Sequence, residues 1–311
     1  MSGDAVSPSA DRRAKILRRT RVGGTLALIV VLLVWASSFE AGPAITLGLA
    51  VVLTLWAIVE VQRMRLFATK YGAPAATVAC LAATALFARA FVADEEAARA
   101  LFDEDGGASR YWAALSVAFA GGAVAGLAAA LPSLFGSPER PPDAPTPVPH
   151  PLLLAVVALP VLGIVPLRAF GGVAALGCFL ALAKVGDIAG YYFGSLLGRR
   201  HPFPNLSPGK TVAGCVASFV AGAVVGGLLV ALGVLEGARF GVASGIAIGA
   251  LVNVLAQAGD LAESALKRRA NVKDSGTTFG PSGGMLDLID SLLLSAPVAA
   301  FAWPLLFHWP A

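Results

Sequence analysis

Long apolar stretches alternate with short polar segments along most of this 311-residue chain. Most of the stretches approach the roughly 20 residues that a helix needs to cross a bilayer. The pattern predicts nine membrane-spanning helices, over residues 22–39, 43–61, 74–93, 111–131, 151–165, 167–183, 212–233, 240–258 and 287–308. Pro160 and Pro166 interrupt the pair around 151–183, and membrane helices tolerate such prolines. The predicted fold class is therefore all-α, a polytopic membrane helical bundle.

Composition agrees with a membrane protein and argues against a soluble one. The chain is 57% hydrophobic and 14% charged, with a mean hydropathy of +0.77. Soluble domains carry about 25% charged residues, and so little charge could not cover a soluble surface. The three cysteines, Cys80, Cys178 and Cys215, lie far apart inside apolar stretches. Their spacing predicts neither a disulfide framework nor a metal cluster.

Basic residues are concentrated in particular polar segments, and this bias predicts the orientation of the chain. Residues 12–21, 63–70, 184–210 and 267–273 are rich in arginine and lysine, whereas residues 94–105 are acidic. Cytoplasmic loops carry the excess of positive charge in membrane proteins. We therefore expect a multi-pass protein of the inner membrane, with the N terminus and the basic loops in the cytoplasm.

A polar, proline-rich segment over residues 135–150 is typical of a linker. It divides the chain into N-terminal membrane helices over 1–134, which begin with a basic cytoplasmic segment, and a membrane domain over 151–311. Ionisable residues fall in two polar segments of this second part, 184–211 and 259–291. Ionisable groups are costly at membrane depth, so these segments are the candidates for function.

Acidic residues recur at helical spacing in the second polar segment. Asp260, Glu263 and Lys267 share one helical face, and Asp287 and Asp290 share another. Converging carboxylates repel one another unless a cation neutralises them. Carboxylate oxygens suit Mg²⁺, which commonly bridges one or two of them to substrate phosphates. The pattern predicts a magnesium site formed by Asp260, Asp287 and Asp290.

Two glycines, Gly283 and Gly284, stand directly before the last apolar stretch. Glycines let backbone amides approach a phosphate, and a helix N terminus favours an anion. Basic side chains nearby add positive charge: Lys267, Arg268, Arg269 and Lys273. Two simpler interpretations stay open for single residues. Asp287 could only cap its helix, and the basic run could only meet anionic lipid headgroups.

The first polar segment is less specific. Its run Ser207-Pro208-Gly209-Lys210-Thr211 superficially resembles a phosphate loop, but the Walker A motif requires glycine where Pro204 stands. Lys210 could still contact a phosphate as a point charge. Asp187 lies in an otherwise apolar stretch, where it either binds a polar ligand or lines a wet cavity.

Together these residues resemble the signature of the phosphatidate cytidylyltransferases, or CDP-diacylglycerol synthases. That signature runs G-D-x-x-E-S-x-x-K-R-x-x-x-x-K-D-[SG], then P-G-H-G-G-x-x-D-R-x-D-S. The matching residues, without insertion, are Gly259, Asp260, Glu263, Ser264, Lys267, Arg268, Lys273, Asp274, Ser275, Gly283, Gly284, Asp287, Asp290 and Ser291. Segment 184–211 is similar to the family's other stretch through Asp187, Tyr192, Phe193, Gly194, Gly198 and the Ser-Pro-x-Lys-Thr run. The resemblance covers roughly the C-terminal 130 residues.

Three positions depart from the family pattern. Ser282 replaces the histidine of Pro-Gly-His-Gly-Gly, Leu288 replaces the arginine between the aspartates, and Ala213 replaces the glutamate after the Lys-Thr pair. All the acidic positions are present, so an active enzyme is still expected.

The resemblance implies transfer of a cytidylyl group from CTP to phosphatidic acid, giving CDP-diacylglycerol and pyrophosphate for phospholipid biosynthesis. The implied catalytic residues are Asp260, Lys267, Asp287 and Asp290. The implied substrate-binding residues are Asp187, Ser207, Lys210, Thr211, Glu263, Ser264, Arg268, Lys273, Asp274, Gly283 and Gly284. The site would lie in the C-terminal half at the cytoplasmic interface.

The expected cofactor is Mg²⁺, and the expected partners are CTP, phosphatidic acid and the bilayer, without nucleic acid. A second cation and a homodimer are each compatible with the sequence. The alternatives are a cytidylyltransferase or kinase that acts on another lipid or polyprenyl substrate, and a membrane transporter. Against a transporter, the acids gather near one membrane face, and no inverted repeat is visible.

Overall fold

The computed structural model describes residues 24–25, 28–67, 70–92, 160–280 and 283–308. Its helices with defined bounds are α1 (Gly42–Arg63), α2 (Gly72–Phe91), α3 (Ile164–Leu197), α4 (Val212–Ala231), α5 (Val242–Arg269), α6 (Met285–Ile289) and α7 (Leu292–Leu306). A 3₁₀ turn, Pro160–Gly163, precedes α3, and residues 28–36 are also helical. Within these ranges no strand occurs, and Ala238 and Phe307 form only an isolated bridge.

Six helical segments among the described residues are long and apolar enough to cross a membrane. Their bounds are Gly42–Arg63, Gly72–Arg89, Ile164–Leu197, Val212–Ala231, Val242–Arg269 and the combined segment Met285–Leu306. They match the predicted spans 43–61, 74–93, 167–183, 212–233, 240–258 and 287–308. The chain is thus a multi-pass membrane protein that is all-helical over the residues described.

Other parts of the predicted topology are described in part or not at all. Span 22–39 is helical where it is described from residue 28 to residue 36. Span 111–131, most of span 151–165 and the linker 135–150 lie outside the described residues. The total of nine spans and the division at the linker stay predictions.

Two helices continue beyond the predicted spans into segments that we expected to connect them. α3 ends at Leu197 instead of residue 183, and α5 ends at Arg269 instead of residue 258. At about 1.5 Å per residue, a helix of this length exceeds the roughly 30 Å hydrocarbon core. Polar residues such as Lys184 and Asp260 interrupt the apolar runs without ending the helices, which is why hydropathy ended both spans too early. Lys184 therefore lies on α3, as does Asp187, which was predicted to lie in an apolar helix.

The interruption near the start of α3 also differs from the prediction. Pro166 is the third residue of α3, where the missing amide hydrogen would have had no helical partner. Helical geometry breaks instead at Gly172, whose φ of 67° and ψ of −162° suit glycine. α3 therefore passes Pro166 without ending.

The faces of α4 show the packing expected in lipid. Its buried face consists of small residues four positions apart, Gly214, Ser218, Gly222 and Gly226. Its opposite face exposes branched apolar side chains, Val216, Val220, Val224 and Leu228. A Cβ on Gly226 would overlap the carbonyl oxygen of Gly245 in α5, so the two backbones touch. Small residues inside and apolar residues outside are typical of a membrane helix.

The N-terminal helices α1 and α2 share one apolar core with the C-terminal helices. At one end of the bundle, the Arg168 guanidinium of α3 donates to the carbonyl oxygen of Ser37, with Nε at 3.0 Å. At the other end, α1 reaches the start of α6 through Glu60. The two parts of the chain are therefore joined at both ends of α1.

Candidate functional site

Polar side chains from four elements meet at the end of the bundle where α5 ends and α6 begins. α5 places Asp260, Glu263 and Lys267 on one face, as the spacing predicts. Gly259 lets α5 approach the end of α6 closely, because a Cβ there would overlap the carbonyl oxygen of Asp290. This contact brings Asp260 and Asp290 to the same place.

Asp260, Glu263 and Asp290 form what we call the acidic cluster. Each offers one carboxylate oxygen, and these oxygens lie within 4.8 Å of one another. Glu263 is fully buried. Lys267 Nζ lies 2.5 Å from Glu263 Oε2 and forms an ion pair with it, whereas Oε1 has no hydrogen-bond partner among the described residues. The cluster therefore keeps converging oxygen ligands, the donor set that Mg²⁺ and Ca²⁺ prefer.

Asp287 has a different environment, although it was predicted as a metal ligand beside Asp260 and Asp290. Its Oδ1 accepts a hydrogen bond from Lys267 Nζ at 2.6 Å. Its Oδ2 accepts from the backbone nitrogens of Ser275 and Gly284 and from Ser275 Oγ, each at 2.8 Å. The side chain caps the first turn of α6, which is the simpler interpretation left open by the sequence. Both of its oxygens already have donors.

Three lysines border the acidic cluster. Lys210 Nζ, from the loop before α4, lies 2.6 Å from Asp260 Oδ2. Lys267 stands between Glu263 and Asp287. Lys184 Nζ, from α3, lies 2.9 Å from the hydroxyl of Ser291, directly after Asp290. Positive charge therefore approaches the cluster from α3, from α5 and from the loop before α4.

Several predicted binding residues have structural contacts in this arrangement. Thr211 Oγ1 accepts from the Gly214 nitrogen at 3.1 Å and caps α4. Arg268 Nε donates to the carbonyl oxygen of Leu206 at 3.3 Å, which ties the loop before α4 to α5. Ser264 Oγ lies 3.4 Å from Asp260 Oδ1.

The remaining predicted residues lie around the rim of the site. Asp187 is exposed and lies 3.3 Å from Lys184 Nζ. Lys273 and Asp274 are exposed in the loop after α5. The carbonyl oxygen of Ser207 accepts from the Lys210 nitrogen at 3.1 Å, which shapes the turn that carries Lys210.

The two glycines before α6 donate their amide hydrogens within the protein. The Gly284 nitrogen donates to Asp287, and the Gly283 nitrogen donates to the carbonyl oxygen of Gly280 at 3.2 Å. Gly283 has a φ of 82°, and a Cβ there would overlap the Asp287 carboxylate. These glycines admit internal carboxylates to the start of the helix, and their predicted contact with a phosphate stays a prediction.

Glu60 is a residue of the site region that sequence reasoning missed. It is fully buried near the end of α1, and its carboxylate accepts hydrogen bonds from the start of α6. An acidic residue inside the predicted span 43–61 is itself a signal, because ionisable groups within membrane segments are usually functional. Its position beside the basic residues Arg63 and Arg65 obscured that signal.

The model of the cytidylyltransferase family matches residues 17–306, nearly the whole chain. The chain belongs to this family. The match spans the acidic cluster, the three lysines and also α1 with Glu60. Membership therefore extends beyond the C-terminal segments that carried the resemblance.

Curated relatives match over shorter stretches. An uncharacterized protein, YnbB of Escherichia coli K12, is 38% identical over 128 residues, 41% of this chain and 42% of that protein. The phosphatidate cytidylyltransferase of Chlamydia muridarum is 37% identical over 123 residues, 38% of this chain and 39% of that protein. The Bacillus subtilis enzyme of the same name is 36% identical over 115 residues, 37% and 42% of the two chains. The chain thus spans about two fifths of the length of the curated relatives it matches.

Proposed function

We propose that this protein is a phosphatidate cytidylyltransferase, which makes CDP-diacylglycerol from CTP and phosphatidic acid. Family membership and the names of the similar enzymes support the reaction class. The observation that carries the proposal is the acidic cluster bordered by Lys210 and Lys267 at one end of a membrane bundle. This arrangement can bind the phosphates of a nucleotide and a lipid next to the bilayer.

In the proposed reaction, an oxygen of the phosphatidic acid phosphate attacks the α-phosphorus of CTP. The bond between that phosphorus and the oxygen that bridges to the β-phosphorus breaks, and pyrophosphate leaves with the electron pair. The lipid supplies the nucleophile, so no covalent intermediate with the protein is needed. The protein must align two anionic reactants and offset their charge.

Magnesium fits the acidic cluster. Glu263 is buried with Lys267 at one oxygen, and its carboxylate converges with those of Asp260 and Asp290. We therefore propose these three residues as the ligands, with Glu263 in the place that the sequence suggested for Asp287. Bound Mg²⁺ would supply Lewis-acid stabilisation of charge on the phosphate oxygens.

The lysines would neutralise the triphosphate and the departing pyrophosphate. Lys210 stands on a loop and now pairs with Asp260, so it can exchange that carboxylate for a phosphate oxygen. Lys267 is held between Glu263 and Asp287, which fixes its direction. Exposed basic residues at the same end, Arg268 and Lys273, would attract CTP before it binds.

The proposed site faces the cytoplasm of the inner membrane. The basic ends of α1 and α5, with Arg63 and residues 267–269, lie at the end of the bundle that carries the acidic cluster. Positive charge favours the cytoplasmic side. CTP would therefore enter from water, while phosphatidic acid would enter from the bilayer with its phosphate at the interface.

Labelled CTP tests this function directly. Purified protein in detergent would receive phosphatidic acid, Mg²⁺ and CTP that carries ³²P at either the α- or the γ-phosphorus. We expect α-label in the chloroform-soluble lipid, γ-label in pyrophosphate only, and no transfer without Mg²⁺. Transfer of γ-label into lipid would instead identify a kinase, and no lipid label from folded protein would contradict the proposal.

Ser282 and Leu288 depart from the family pattern, and these departures support one alternative acceptor, a polyprenyl phosphate. Leu288 directly follows Asp287 in the sequence, and Ser282 directly precedes Gly283, so a changed pair of side chains could accommodate another lipid phosphate. The same assay with a polyprenyl phosphate in place of phosphatidic acid separates these acceptors. Faster transfer to the polyprenyl phosphate would show that the protein is a cytidylyltransferase whose preferred acceptor is not phosphatidic acid.

A further inference from the structure

Glu60 is a buried carboxylate that the proposed reaction does not use. It lies near the end of α1, in the part of the chain that the family resemblance did not cover, and it is fully buried. Among the described residues no lysine or arginine pairs with it. Burying a charge without a partner is costly, so its hydrogen bonds must account for its presence.

The hydrogen bonds of Glu60 all come from the segment that leads into α6. Oε1 accepts from the Met285 nitrogen at 2.7 Å, and Oε2 accepts from the Leu286 nitrogen at 2.9 Å. Oε2 also accepts from the hydroxyl of Ser275 at 2.7 Å. The first amides of a helix have no partners within it, and negative charge is stabilised there. Glu60 therefore caps α6 from 225 residues away in the sequence.

The glycines around α6 make room for this carboxylate. A Cβ on Gly284 would overlap both oxygens of Glu60, and a Cβ on Gly276 would lie 3.0 Å from Oε1. Larger residues at these positions would push Glu60 out of reach of the amides. The glycine-rich segment is thus shaped around a residue of the N-terminal part.

The contact reaches the acidic cluster in two ways. Ser275 Oγ lies 2.7 Å from Glu60 Oε2 and 2.8 Å from Asp287 Oδ2, so the hydroxyl stands between the two carboxylates and can donate its one hydrogen to either of them. In addition, α6 is only five residues long, and Asp290 is the residue at which it ends. Fixing the first amides of so short a helix also fixes the direction of Asp290 toward Asp260 and Glu263.

We propose that Glu60 is a positioning residue, which orients α6 so that Asp290 completes the acidic cluster. The inference rests on the proposed function for its catalytic consequence, but not for its structural content. It gives the N-terminal part a role at the site besides building the membrane body. Glu60 itself touches neither substrate nor cation.

The test compares Mn²⁺ binding, followed by electron paramagnetic resonance, in detergent-purified variants. Loss of a residue that orients metal ligands typically weakens binding about 10–100-fold, which we expect for Glu60→Leu. Glu60→Gln keeps one acceptor oxygen and should fall between Glu60→Leu and the unaltered protein. Thr54→Val is the matched control, because Thr54 is buried on the same helix and its hydroxyl has no hydrogen-bond partner.

A residue with only a structural role would lower the unfolding midpoint while folded protein still bound Mn²⁺ with unchanged affinity. That result for Glu60→Gln would overturn the proposal, and this near-isosteric variant decides the question if Glu60→Leu fails to fold. Ser275→Ala should weaken Mn²⁺ binding in the same direction, and its effect should not add to that of Glu60→Gln. Mn²⁺ binding needs no turnover. A lack of cytidylyl transfer would therefore contradict the proposed function, while the Mn²⁺ titration would still decide the role of Glu60.

Discussion

Two groups of carboxylates meet at the start of α6, and they differ in what their oxygens contact. The acidic cluster has converging oxygens, and lysines offset part of its charge. Glu60 and Asp287, which we call the capping carboxylates, accept a hydrogen bond on every oxygen, mainly from backbone amides. Asp287 stands between Glu263 and Asp290 in the sequence, so spacing alone cannot separate it from the acidic cluster.

The difference shows how one site can hold so many acids. The capping carboxylates are neutralised by backbone amides and Lys267, so they stabilise the fold without a cation. The carboxylates of the acidic cluster converge and repel one another, although Lys210 and Lys267 offset part of their charge, and this convergence favours a cation. The capping carboxylates fix the geometry in which the acidic cluster acts.

The largest expected effect follows from neutralising the acidic cluster. Asp260→Asn and Asp290→Asn should each lower kcat/KM on the order of 10²–10³-fold, as does removal of one essential charge-stabilising group. The labelled-lipid assay at saturating Mg²⁺ measures this loss. Glu236→Gln makes the same chemical change on the exposed loop between α4 and α5, and it should leave the rate unchanged. Normal transfer by Asp290→Asn would remove this residue from the site.

Glu263→Gln separates function from stability within the same cluster. We expect roughly a 10–100-fold loss of activity and a higher Mg²⁺ requirement. Without divalent cation, however, the unfolding midpoint should stay the same or rise, because a fully buried charge is removed while Lys267 keeps its ion pair with Asp287. A lower midpoint in chelator would show that Glu263 supports the fold instead.

Asp287→Asn should instead lower stability strongly and activity only moderately. The substitution weakens the ion pair with Lys267 and the cap on α6, and we expect a destabilisation of about 2–3 kcal/mol. Activity for each folded molecule should fall about tenfold through the lost orientation of Lys267. Thermal unfolding measures the loss of stability, and the labelled-lipid assay on the same preparation measures the loss of activity. A change in activity alone, at full stability, would place Asp287 in the acidic cluster.

The smallest effect is expected at Thr211, which was predicted to bind substrate but caps α4. Thr211→Val should lower stability by about 1 kcal/mol, whereas Thr211→Ser keeps the capping oxygen and should not. Neither variant should change the KM for CTP by more than about twofold, because the cap does not face the acidic cluster. A large rise in KM for both variants would restore the binding role.

Hydropathy predicted the membrane helices because a span requires a long apolar run, and six of the predicted spans are helices here. It failed at the ends of α3 and α5, which continue past residues 183 and 258. Polar residues such as Lys184 end an apolar run without ending the helix, and only the spacing of Asp260, Glu263 and Lys267 indicated that the helix continues there. It also placed the break of α3 at Pro166 instead of Gly172.

The candidate site could be predicted in outline only. Spacing placed Asp260 and Glu263 on one face, and the family signature singled out Asp290. Neither could show that the oxygens of Asp287 cap α6, while the carboxylate of Glu263 converges with those of Asp260 and Asp290. The contacts of Glu60 could be recognised only in the tertiary structure, because its partners lie 215 to 226 residues away in the sequence.

The measurement that tests the central claim most directly is Mn²⁺ titration by electron paramagnetic resonance of Glu263→Gln and Asp287→Asn. Both variants would be titrated well below their unfolding midpoints. The account predicts that Glu263→Gln weakens Mn²⁺ binding about 10–100-fold and that Asp287→Asn changes it by a few-fold at most. Loss of the ion in Asp287→Asn, with unchanged binding in Glu263→Gln, would contradict the distinction between the acidic cluster and the capping carboxylates.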